Sequence, residues 1–79
     1  MIDNIIDSLN SGHTVIINYT SLNSGKEITF RGTSHSPHKG FAMPQTRGSD
    51  VLVLWDLDTQ RWEDIKKDTI VGWSRVQVS

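Results

Sequence analysis

The stretch that most narrows the fold of this chain is Val51 to Trp73, VLVLWDLDTQRWEDIKKDTIVGW. A dense apolar run ends at Trp55, and Trp62 follows after six intervening residues. A second β-branched run carries Trp73, so all three tryptophans of the chain lie here. Apolar runs this short, rich in β-branched and aromatic residues and broken by Asp-rich turns, are strand material and not helix. With Asp58 and Thr59 at the centre of a tight turn, Trp55 opposes Trp62 and Asp56 opposes Arg61. That register predicts an aromatic pair on one face and an ion pair on the other. Ile65-Lys66-Lys67-Asp68 reads as a short turn, and Thr69 to Val78 as the last strand, bent at Gly72.

The first half of the chain supplies the remaining elements. Ile2, Ile5, Ile6 and Leu9 recur at helical spacing, which predicts a helix over about 2–10 that Asn10, Ser11 and Gly12 stop. So short a helix is marginal alone and must dock its apolar stripe on the rest of the protein. Thr14 to Thr20 and Glu27 to Thr33 alternate with period two, placing Val15, Ile17 and Tyr19, then Ile28 and Phe30, on one face. The turn between them, Leu22-Asn23-Ser24-Gly25, needs a left-handed residue, for which Gly25 is suited. Ser34 to Ser49 holds both prolines and no periodicity, and reads as a long loop. The expected fold is therefore mainly β in a single domain, 1–79. A short N-terminal helix precedes five antiparallel strands that curl into a small closed or nearly closed barrel.

These features in order resemble a family of small, mostly phage-encoded proteins, a second WYL-type family with an Sm-like SH3 β-barrel. The matching pieces are V-x-I-x-Y-T (Val15, Ile17, Tyr19, Thr20), Gly25-Lys26, T-F-R-G-T (Thr29 to Thr33), L-W-D (Leu54 to Asp56), Trp62 and I-K-K-D-T-I (Ile65 to Ile70). Glu63 and Asp64 stand where such families carry a basic residue after the second Trp. The resemblance implies an SH3/Sm-like fold and a phage origin; most of the family has no assigned function. Related Sm-like and WYL domains bind RNA or regulatory nucleotides and often form rings or dimers.

Chemistry is sparse. The chain has no cysteine, so disulfides and thiolate zinc sites are excluded. No G-x-S-x-G, S-x-x-K or phosphate-binding Gly-Lys-Ser motif occurs. A formal charge of −1 speaks against a strongly electrostatic nucleic-acid binder. No run reaches the length of a membrane span, and the acidic start is unlike a signal peptide, so a cytoplasmic protein is expected, in the host if phage-encoded. The segment from Arg31 to Arg47 contains bases and no acid. It offers Arg31, His35, His38, Lys39, Phe41 and Arg47 as an anion or nucleic-acid site. Trp62, with Arg61, is the candidate contact for a protein partner; Trp55 and Trp73 are expected in the core. No catalytic residue, metal or cofactor is expected. The leading expectation is a non-enzymatic binding or regulatory module acting on a host protein, with a homo-oligomer among its expected forms and nucleic-acid or nucleotide binding as the alternative.

Overall fold

The computed structural model describes residues 1–35 and 45–76. Helix α1 (Ile2–Asn10) is followed by β1 (Val15–Thr20), β2 (Glu27–Thr33), β3 (Val51–Asp56) and β4 (Arg61–Lys66). A 3₁₀ turn (Lys67–Thr69) then leads into β5 (Ile70–Arg75).

Helix α1 forms because its isoleucines and leucine share one stripe, and that stripe is removed from water. Ile5, Ile6 and Leu9 are fully buried. Each such side chain contributes about 1.5–3 kcal/mol through burial. The helix ends in a Schellman motif. Gly12 takes φ +87°, its N–H donates to Leu9 O, and His13 N–H donates to Ser8 O. From β2's end, the buried Ser34 hydroxyl donates to Leu9 O at 2.7 Å, satisfying a terminal helix carbonyl twice over.

The β1–β2 hairpin turns where its residues demand. Gly25 adopts φ +71°, and the Ser21 hydroxyl accepts from the N–H groups of Asn23 and Ser24. Pairing runs from Val15↔Gly32 to Thr20↔Glu27. Tyr19 therefore stands beside Ile28, and Ile17 beside Phe30. On its other side β1 pairs with β5, with a register shift that leaves Val71 as the extra residue next to Gly72. The bend expected at Gly72 is this bulge. The 3₁₀ turn sits slightly later than the sequence suggests, because Ile65 and Lys66 remain in β4, opposite Leu52 and Val51.

The sheet runs β4-β3-β2-β1-β5 in strictly antiparallel pairs and does not close into a barrel. A closed or nearly closed barrel was the expectation, and local geometry explains the difference. Only a three-residue turn separates β4 from β5, and at most ~3.6 Å per residue it keeps their ends close. The sheet must curl to allow this, yet the turn sends β5 onto β1 and not back along β4. Both outer edges stay unpaired among the described residues. Inside the sheet β2 and β3 share only Gly32↔Asp56 and Thr33↔Trp55. The core lies on the concave side: Ile5, Ile6 and Leu9 meet Val15, Ile17, Phe30, Leu52, Leu54, Ile65 and Ile70.

The β3–β4 hairpin has the register read from the sequence, with Trp55↔Trp62 and Asp56↔Arg61. The two indoles meet edge to face, centroids 5.5 Å apart. The expected Asp56–Arg61 ion pair does not form. Asp56 turns inward to accept from the N–H groups of Asp58 and Thr59, and Arg61 binds Glu63 on its own strand at 2.8 Å. The hairpin closes through Gln60, a non-glycine residue at φ +58°. A left-handed residue with a Cβ costs about 1–2 kcal/mol, so Gln60→Gly is expected to raise the unfolding midpoint by several degrees in a thermal melt monitored by circular dichroism.

Candidate functional site

The basic segment seen in the sequence does not gather into one patch among the described residues. Arg31 leaves the outer face of β2 and lies 3.6 Å from Asp58 in the β3–β4 turn. Arg47 instead reaches helix α1, donating to Asp7 at 2.9 Å with Asp3 at 3.3 Å. The hydrogen bond to Asp7, then the charges of Asp7 and Asp3, hold the Arg47 guanidinium above its ordinary pKa. Each arginine thus has a carboxylate of its own, on a different element. His38, Lys39 and Phe41 lie outside the described residues.

His35 is exposed, and its Nδ1 lies 3.3 Å from Ser34 Oγ. The pair is not a nucleophile with its base. The Ser34 hydroxyl donates to Leu9 O, and Ser34 is almost wholly buried, out of reach of a substrate. Among the described residues no three of His, Asp and Glu cluster closely enough to hold a metal ion.

Alternation along β3 puts Leu52 and Leu54 toward the core and Trp55 on the reverse face, with Trp62 beside it. Trp55 is therefore buried, as expected of a core residue, on the face of β3 opposite Leu52 and Leu54. Trp73, opposite Ile17, packs against the core from β5. Trp62 is half-buried against Trp55, and Arg61 is exposed and engaged by Glu63. Trp62 is thus less open than a free-standing partner contact would be.

The inner edge of β3, where β2 has peeled away, is covered by side chains. The Gln45 amide donates to Val53 O at 2.7 Å and accepts from Val53 N–H at 3.0 Å. Ser49 Oγ both donates to Val51 O and accepts from Val51 N–H. Asn10, at the end of α1, holds the Gln45 backbone the same way, accepting its N–H at 2.9 Å and donating to its carbonyl at 3.3 Å. Strand edges left open invite pairing with other chains; here one is closed by two polar side chains.

Two clefts border the far end of β4. The larger, about 680 Å³, is lined by residues 47–51 and by Lys66, Lys67 and Asp68. Lys67 Nζ donates to Thr46 O at 2.9 Å and sits 3.4 Å from Arg47 O, which anchors it without neutralising it. The smaller, about 190 Å³, lies between the β1–β2 turn and β4, with Tyr19, Leu22, Ile65 and Thr69 in its wall. Lys66 lines both, and its ammonium has no hydrogen-bond or ion-pair partner among the described residues. The sequence signalled none of this: Lys66 and Lys67 read as part of one turn, and Leu22 as the start of another.

No known family, curated protein or solved structure matches the chain.

Proposed function

We propose that this chain is a small, non-enzymatic binding module of the SH3/Sm-like kind, phage-encoded, that acts on a host protein in the host cytoplasm. The observation that carries the reading is the outer edges of β4 and β5, which have no strand partner among the described residues, on a small curled sheet. An open strand edge offers a row of backbone donors and acceptors to an extended segment of another protein. Val71, bulged out of β5 and 59 % exposed, adds an apolar contact at one edge. The strand order, with a 3₁₀ turn between β4 and β5, supports the SH3/Sm-like assignment, and the phage origin rests on the sequence resemblance. Self-pairing of the same edges would give the homo-oligomer.

Nucleic-acid or nucleotide binding is the second reading, favoured by Arg47, Lys66 and Lys67 lining one cleft. Against it, Arg31, Arg47 and Arg61 each face a carboxylate, and the net charge is −1. Capture from bacterial lysate separates the two. The immobilised chain is expected to retain a protein after nuclease treatment and in high salt, and Val71→Lys to retain several-fold less. Capture abolished by nuclease, with salt-dependent binding to RNA or DNA that Arg31→Ala and Arg47→Ala weaken, would overturn the protein reading.

A further inference from the structure

The smaller cleft lies between the β1–β2 turn and β4. Its walls are the end of β1 with its turn, and Asp64, Ile65 and Lys66 of β4. At about 190 Å³ it falls below the ~300–1,000 Å³ usual for small-molecule sites. It has room for one large apolar side chain, and its wall suits one: Tyr19 is half-buried, Leu22 is 72 % exposed, and Ile65 forms the buried floor. Immediately beyond it the larger cleft is lined by two lysines, Lys66 and Lys67, each with an ammonium group. That of Lys66 has no partner among the described residues, and that of Lys67 is held by the carbonyls of Thr46 and Arg47.

We infer that the two clefts form one docking site for an extended, acidic segment of a partner protein. A large apolar side chain of the segment enters the smaller cleft, and a carboxylate close by in sequence binds Lys66 and Lys67. This deepens the reading of the chain as a protein-binding module and rests on it. The apolar anchor and the carboxylate fall within about two residues of one another, because Lys66 borders both clefts and an extended chain advances ~3.3 Å per residue. The consecutive β4 residues beneath the segment belong to an edge with no strand partner among the described residues, so its backbone has partners as well. Charge pattern selects a peptide over a nucleic acid. Asp50 and Asp68 line the larger cleft and Asp64 the smaller, so a continuous polyanion is repelled where a single carboxylate is not.

Selection of a random-peptide display library on the intact chain tests the site. Enriched peptides are expected to carry a large apolar residue within two positions of Asp or Glu. Their affinity is expected to fall about tenfold or more in Lys66→Glu and in Leu22→Ser, both at exposed positions whose far-ultraviolet spectra should stay native. Reselection on Lys66→Glu should replace the acidic residue by Lys or Arg, a change that a merely structural role for Lys66 would not produce. No enrichment, peptides without the paired pattern, binding indifferent to Lys66→Glu, or displacement of the peptides by single-stranded DNA would each overturn the site. A host protein retained equally by the wild type and Lys66→Glu would remove the site and leave the partner-protein reading standing. Loss of all protein capture would remove both.

Discussion

Replacing Gly32 by alanine is expected to lower the unfolding midpoint by about 10–20 °C, the shift that a loss of about 2–3 kcal/mol produces in a domain this size. Gly32 is the one residue of β2 paired on both sides, with Val15 of β1 and Asp56 of β3. The ring of Phe30, two residues earlier on the same face, folds over the place where a side chain would begin. An added Cβ would stand 2.4 Å from Phe30 Cε1 and 2.9 Å from the carbonyl oxygen of Trp55. The ring can turn aside at the expense of core packing. The carbonyl is part of the short β2–β3 ladder, only two pairs long, and can shift only by straining it. Stability of small domains is narrow, so a loss of this size removes a large share of it. Combining Gly32→Ala with Phe30→Leu should recover part of the loss, because the two groups contend for the same space. A Gly32→Ala protein that melts within a degree or two of the wild type would show that β2 has slack there.

The same residue illustrates what the sequence does and does not disclose. Gly32 reads as part of an alternating strand, T-F-R-G-T, and the strand is there; that a ring and a carbonyl crowd it is a property of three strands meeting. Local signals were legible. The helix, the left-handed Gly25, the bulge at Gly72 and the Trp55–Trp62 register each depend on residues close in sequence. Barrel closure was not, because it depends on whether β4 and β5 hydrogen-bond after a three-residue crossing, and neither strand's pattern records its neighbour. Arg47 illustrates the other failure. It belongs to a run without acids, yet its carboxylates come from Asp3 and Asp7, far away in the chain. Charge read along a segment is not charge in space. The candidate site suffered most, since Lys66 gains meaning only from the clefts on either side of it.

Gln45→Ala is expected to destabilise the fold by about 2–4 kcal/mol and to do so at one strand edge. The Gln45 side chain gives Val53 both a donor and an acceptor, as a paired strand residue would, and Gln45 itself is 7 % exposed. Removing the amide leaves a backbone N–H and a C=O without partners in a crowded place. Such orphaned groups cost more than the bond itself contributed. Amide hydrogen exchange gives the local signature. Val53, whose polar groups point away from β4, should lose protection, while Leu52 and Leu54, which by alternation face β4, should keep theirs until global unfolding. Asn10→Ala removes the support one step back, since Asn10 positions the Gln45 backbone and touches nothing on β3 through the bonds described. Its loss should be smaller than that of Gln45→Ala and non-additive with it in a double-mutant cycle. Additivity would mean that helix end and strand edge are held independently. The exposed edge also predicts a second symptom: with Gln45 gone, β3 offers VLVLW to other chains, and the variant should aggregate on heating where the wild type refolds.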